Sequence, residues 1–313
     1  MVSPLRLLLI SMAVLATAMT ANAQRWALPK VSVAILRAEP RHGAEQVSQV
    51  VMGTPLRVTR RQGEWWKIET PEGYSGYVRN NTLQGLDDSE MHLWRASRRV
   101  VVATDRTVYA MSEPSDAPGS ARLTDLVNGS ILEVDTDTAY GNMTAIRLPD
   151  GRTGYISSDL IVAIETWATQ QWNPAEMPGY AARMMGAPYV WGGTSSKGMD
   201  CSGLTQICAY RQGVMLPRDA SQQVKIGLPV DKTSPSDFQA GDLLFFGNTA
   251  TGRITHVAIS LGGAAYIHSS ARVRVSSLDP DAPDYENPGL IAVRRIDPAT
   301  ARRLSLRDHP WYF

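Results

Sequence analysis

Cysteine is almost absent from this chain. Cys201 and Cys208 are the only two in 313 residues, beside just four phenylalanines and five histidines. If the segment from Cys201 to Gln212 is helical, the two stand about two turns apart at roughly 1.5 Å rise per residue. That exceeds the ~7 Å Cα separation a disulfide can bridge, so a disulfide-stapled fold is excluded. Neither sign of charge is in excess: 31 basic and 30 acidic side chains leave a net charge of +1. With no basic stripe, there is no electrostatic footprint for nucleic acid. There is no H-E-x-x-H and no cysteine pair at ligand spacing, so no metal is expected, and no other cofactor either.

Long apolar runs are also lacking. The run Leu7 to Leu15 is far short of the about 20 residues a membrane-spanning helix needs. Arg6 precedes it and Ala21-Asn22-Ala23 follow it, the layout of a cleavable signal peptide over residues 1–23. The expectation is an exported protein, periplasmic or secreted, with no membrane anchor in the mature chain. In such an oxidising compartment a free thiol calls for an explanation.

What is present begins with 43% apolar residues, enough for packed cores in two or three domains. An internal repeat follows. Val50-Val51-Met52-Gly53-Thr54-Pro55-Leu56-Arg57-Val58 and Pro71-Glu72-Gly73-Tyr74-Ser75-Gly76-Tyr77-Val78 come first. They are matched in order and spacing by Leu126-Val127-Asn128-Gly129-Ser130-Ile131-Leu132-Glu133-Val134 and Pro149-Asp150-Gly151-Arg152-Thr153-Gly154-Tyr155-Ile156. Short alternating strands between Gly, Pro, Asn and Asp turns predict two small β-barrels. They resemble bacterial SH3-like domains and are assigned to residues 24–88 and 89–165. Trp167 and Trp172 mark a packed connector. Residues 166–313 then read as helices followed by strands, an α+β domain.

Asp200 is a good N-cap for a helix whose apolar side carries Leu204, Ile207 and Cys208. Cys201 then sits in the first turn, where free N–H groups and the helix dipole favour a thiolate, and its pKa is expected to fall. Cys208, deeper on the same helix, reads as a small buried hydrophobe. A nucleophilic thiol needs a base. His256, Ala258 and Ser260 share one face of a strand that continues, after Gly262, as Ala264, Tyr266 and His268. The other face is apolar throughout. This segregation predicts an odd-length connection centred on Gly262 and His256 and His268 as direct cross-strand neighbours. His256 then acts as base for Cys201, and His268 holds its ring in the useful tautomer.

The residues Asp200-Cys201-Ser202-Gly203-Leu204, Ala240-Gly241-Asp242-Leu243-Leu244-Phe245-Phe246, Thr255-His256-Val257-Ala258-Ile259 and Tyr266-Ile267-His268 resemble the NlpC-type cell-wall cysteine peptidases. The resemblance implies a papain-like catalytic domain with the triad Cys201, His256 and His268. With two SH3-like domains ahead of it, the chain is most similar to the γ-D-glutamyl-L-diamino acid endopeptidases, the dipeptidyl-peptidase VI group. These cut L-Ala-γ-D-Glu-diamino acid stem peptides after D-Glu and require a free N-terminal L-Ala. By that resemblance Asp200 and Ser202 receive the substrate ammonium, with Tyr189 lining the same end of the cleft. Arg218-Asp219 also matches a family motif at the cleft, but Ala220 stands where relatives carry serine, a role open to Ser221. Glu45 and Tyr74 are the candidates contributed by the first SH3-like domain, with Tyr77 as the rival tyrosine.

Overall fold

The computed structural model describes residues 25–115, 120–136 and 140–313, so the signal-peptide expectation lies outside the described residues. Seven strands, Trp26–Pro29, Val33–Arg37, Gln46–Val51, Leu56–Gln62, Trp65–Glu69, Ser75–Arg79 and Leu83–Leu86, form one sheet. They lie in the order third-second-sixth-fifth-fourth-first-seventh. The strands Arg99–Val102, Val108–Met111, Arg122–Leu126, Ile131–Val134, Met143–Arg147, Thr153–Ser157 and Ile161–Ala163 form a second sheet in the same order. The cores correspond as well. Val50, Leu56, Ile68 and Val78 fill the first, and Leu126, Leu132, Ile146 and Ile156 fill the second. The repeated sequence thus repeats inward-pointing side chains, as alternation along a strand requires.

Between the sheets lies an unexpected helix, Asp88–Ala96. Asp87 caps it in a full capping box with Glu90, a start signal hidden inside what reads as an interdomain boundary. The helix buries Met91 and Trp94 in a cluster with Leu28, Val101, Trp167 and Tyr312, drawn from all three parts of the chain. The connector is packed, as the two tryptophans suggested. Trp167 is buried, and Trp172 Nε1 donates to the Ile296 carbonyl at 2.7 Å.

The C-terminal part packs the helices Met177–Ala182 and Cys201–Tyr210 on a six-stranded antiparallel sheet. Its strands, Leu228–Val230, Leu243–Asn248, Arg253–Gly262, Ala265–Ser270, Arg272–Ser277 and Leu290–Arg295, lie in the order first-sixth-second-third-fourth-fifth. Val257, Ile259 and Ile267 meet Leu204 and Cys208 in the main core. Phe246, Ala258 and Tyr266 fill a second core with Phe238, Leu278 and Val293. This is the expected α+β arrangement. Among the described residues, no helix is long and apolar enough to cross a membrane.

The first sheet is locked onto the second at Gly53. Met52 enters the second core, its carbonyl accepts from Ile131 N at 2.9 Å, and a Cβ on Gly53 would stand 2.0 Å from the Ile131 carbonyl oxygen. Gly73 shares the left-handed backbone (φ 81° against 76°), but a Cβ there meets nothing within 4 Å. Gly73→Ala therefore carries only conformational strain, of order 1 kcal/mol, whereas Gly53→Ala adds a backbone clash. We expect Gly53→Ala to lower the thermal midpoint at least about 4 °C further than Gly73→Ala. Equal midpoints would show that this contact does not hold the sheets together.

Candidate active site

Cys201 opens its helix, with Asp200 as N-cap accepting from Gly203 N at 2.7 Å. It lies in an open cleft of about 1060 Å³. All six candidate substrate-binding residues line that cleft: Glu45, Tyr74, Tyr189, Asp200, Ser202 and Asp219. Glu45 and Tyr74 come from the first sheet unit, and Tyr77 is not among the lining residues.

Asp200, expected to receive a substrate ammonium, already has a partner within the protein. Arg218, 2% exposed, grips its carboxylate through two nitrogens, Nη2 to Oδ2 at 2.6 Å and Nη1 to Oδ1 at 3.2 Å. Gly192 N donates to Oδ2 and the Ser202 hydroxyl to Oδ1, while Ser202 accepts from Arg218 Nη1 at 2.9 Å. Both members of the expected ammonium pair are thus committed to a guanidinium. The carboxylates with capacity left are Asp219 and Glu45. Asp219 is half-buried and takes the Tyr74 hydroxyl; burial raises its pKa despite the pull of Arg218. Burial and the Asp219 charge in turn push Tyr74 up to about 12. Glu45 Oε1 accepts from Trp191 Nε1 at 2.8 Å. Tyr189 is also pushed up to about 12, by burial and then by Cys201 and Asp200. Ala220 is buried, and Ser221 reaches the cleft beside it.

The histidines meet. His256 Nε2 and His268 Nδ1 are 2.8 Å apart. Their register is diagonal, not direct. Ile259 faces Ile267 and Ser260 faces Tyr266, which puts Ala258 opposite His268. The turn is a two-residue one, because Gly262 pairs with Ala265. Alone it would send the rings to opposite faces, but a bulge at Leu261 restores the parity. The Cys201 sulfur accepts from the N–H groups of Val257, next to His256, and Ser202.

Burial, then the Asp200 carboxylate, push the Cys201 thiol up to about 11 in spite of those N–H groups. The expected fall in pKa does not occur, because desolvation and a neighbouring carboxylate outweigh the helix dipole. Burial also drives His256 down to about 4 and His268 down to about 3. Burial thus leaves the Cys201 thiol and the His256 imidazole each uncharged near neutral pH. Cys208 is fully buried in the core, and burial raises its pKa strongly. Among the described residues, no group of three or more His, Cys, Asp or Glu could hold a metal.

Sequence reasoning missed four contributors. Trp191 is 60% exposed at the cleft, an anomaly for a tryptophan in the Tyr189-Val190-Trp191 run. Arg253 enters the lining beside Ile254 and Thr255, where a second bulge leaves Thr255 unpaired. Beyond His268, its Nε2 lies 3.2 Å from the Ser276 hydroxyl, which donates to Glu286 Oε2 at 3.1 Å. No pattern in the sequence marks this last pair.

Comparison with known proteins matches residues 186–293 to the NlpC/P60 family and residues 32–84 to the bacterial SH3 domain. The chain is 32% identical over 262 residues to dipeptidyl-peptidase 6 of Lysinibacillus sphaericus, covering 81% of this chain and 92% of that protein. It is 27% identical over 253 residues to a γ-D-glutamyl-L-lysine dipeptidyl-peptidase of Bacillus cereus, covering 76% and 72%. The crystal structure of an NlpC/P60 family protein from Bacillus cereus shares the fold at a TM-score of 0.72 and 22% identity, covering 86% of this chain and 99% of that one. With its papain-like C-terminal part and a β-rich SH3-like region ahead of it, the chain belongs to the NlpC/P60 family.

Proposed function

We propose that this cysteine peptidase hydrolyses the γ-D-glutamyl–diamino acid bond of peptidoglycan stem peptides that carry a free N-terminal L-Ala. The carrying observation is that Glu45 and Tyr74, from the first sheet unit, line the same cleft as Cys201. Relatives named dipeptidyl-peptidase 6 and γ-D-glutamyl-L-lysine dipeptidyl-peptidase support the bond and the release of a dipeptide.

Three carboxylates, Glu45, Asp200 and Asp219, line the cleft against two guanidiniums, Arg218 and Arg253. Asp200 neutralises Arg218, so Glu45 and Asp219 outweigh Arg253 and a substrate ammonium restores balance. Tyr74, Trp191 and Tyr189 enclose that end. A γ-linkage leaves the D-Glu α-carboxylate free, and Arg253 is the cation left to meet it.

In this reading His256 takes the Cys201 proton, and the thiolate attacks the γ-carbonyl carbon. The Cys201 N–H at the helix start steadies the oxyanion. His256 then protonates the leaving amine, and water hydrolyses the resulting thioester with His256 as base. Residues 24–88 and 89–165 are read as two SH3-like domains and 166–313 as the peptidase domain. The second barrel rests on its shared strand order. An envelope or extracellular location suits the substrate, with residues 1–23 read as the signal peptide.

Two other readings compete. With both SH3-like domains serving as anchors, the chain would be an endopeptidase on intact wall. With an inactive catalytic domain it would be a wall-binding protein, but loss of activity would release the Cys-His-His set that is retained. Incubation with L-Ala-γ-D-Glu-L-Lys, its N-acetylated form and intact sacculi separates all three. We expect the free peptide to be cleaved at least about 100-fold faster than the acetylated one, since an acetylated amine carries no charge for Glu45 and Asp219 to pair with. A Cys201→Ala variant should be folded and inactive. Equal rates on both peptides would refute the free-amine reading, and sacculus binding without cleavage would favour the wall-binding one.

The pH profile gives a second check. The neutral Cys201–His256 pair and its ion pair hold the same number of protons, so interconverting them costs no pH dependence. His256, lowered to about 4, is uncharged above that pH, and kcat/KM should fall only as pH drops through it. On the alkaline side kcat/KM should fall as the substrate amine loses its proton, near pH 8. A rate still rising at pH 9 would contradict ammonium recognition.

A further inference from the structure

The hydrogen bonds behind His268 end on a group with only one possible polarity, and this fixes every proton between it and the nucleophile. Glu286 is ionised: burial opposes its charge, but bonds from Arg274 and Ser276 hold it below the usual carboxylate range. An ionised carboxylate only accepts. The Ser276 hydroxyl, fully buried, therefore donates to Glu286 Oε2 at 3.1 Å. Its lone pairs remain for Arg274 Nη1 at 2.7 Å and His268 Nε2 at 3.2 Å. Arg274 also donates to the same Glu286 oxygen. The other polar neighbour, the Tyr266 hydroxyl, spends its proton on the Glu286 backbone carbonyl at 2.6 Å.

We infer that Glu286, acting through Ser276 and braced by Arg274, sets the tautomers of both histidines and so hands His256 to Cys201 as a base. With Ser276 able only to accept, His268 carries its proton on Nε2 and leaves Nδ1 as a lone pair. That lone pair accepts from His256 Nε2–H across 2.8 Å, which leaves His256 Nδ1 free to take a proton. Reversing the Ser276 hydroxyl reverses the chain and puts a proton on His256 Nδ1, where it blocks the reaction. Ser276, Glu286 and Arg274 touch no substrate in this account; they are positioning residues. The inference rests on the assignment of Cys201, His256 and His268 above.

Two readouts on the full-length chain test it. In 15N NMR of histidine-labelled protein at neutral pH, with only five histidines to assign, His256 and His268 should both be protonated on Nε2. In Glu286→Ala the Ser276 hydroxyl is free to donate to His268, and the populations should move towards the Nδ1–H form. In kinetics with L-Ala-γ-D-Glu-L-Lys, Glu286→Ala should lose about 100-fold or more in kcat with KM changed less than threefold; a wrong tautomer in a serine-protease triad costs up to about 10⁴. Glu286→Gln keeps an acceptor oxygen and should recover to within about tenfold of wild type. Wild-type His256 protonated on Nδ1, undiminished kcat in Glu286→Ala, or Glu286→Gln as impaired as Glu286→Ala would each overturn the inference. The NMR readout needs no substrate, so it can fail or succeed separately from the substrate assignment.

Discussion

Two opposite charges are buried together at the root of the cleft, and the site is arranged around keeping them paired. Asp200 and Arg218 are almost wholly removed from water, where an unpaired member would cost about 3–5 kcal/mol. Their hydrogen bonds extend outward in every direction the site needs. Asp200 caps the helix that presents Cys201, and it takes Gly192 N from the loop beside Trp191. Arg218 Nε reaches across to Ser48 of the first sheet unit at 3.0 Å. One ion pair thus joins the helix of Cys201, the cleft's loop and the neighbouring unit.

Because that pair is electrically closed, the proposed ammonium recognition falls to Asp219 and Glu45, which line the same cleft. The first sheet unit supplies half of it and is held in place by more than Ser48. Gln46 Nε2 donates to the Trp191 carbonyl at 2.9 Å, and Gln49 Oε1 accepts from Thr194 N at 3.1 Å and from the Ser195 hydroxyl at 3.0 Å. The second unit works at a distance from the chemistry. Its Asp105 pairs with Arg183 and Arg211, and its Asp125 with Lys197. It sets the frame against which the first unit closes the cleft.

Much of this was legible in the sequence because local rules carry it. Asp200 before an apolar helix face marks the helix start at Cys201, the duplicated Gly and Tyr spacings mark two sheets of one topology, and the alternation around His256 and His268 marks their common face. What stayed hidden was tertiary. The pairing of Asp200 with Arg218 spans 18 residues, and that of Glu45 with Trp191 spans 146. Neither follows from a period of 2 or 3.6. The bulge at Leu261 cannot be told from an odd-length turn by alternation, so the right face was reached with the wrong register. The lowered thiol pKa failed for a related reason: a helix N-terminus is visible in sequence, but the depth of its burial is not.

In the proposed function Glu45 and Asp219, not the Asp200–Arg218 pair, hold the substrate ammonium. This is tested most directly by the selectivity of the double variant Glu45→Gln/Asp219→Asn, measured as the ratio of kcat/KM for free and N-acetylated L-Ala-γ-D-Glu-L-Lys. The ratio should collapse towards one, with the thermal midpoint close to that of wild type. A double variant that keeps the wild-type preference for the free amine would contradict it.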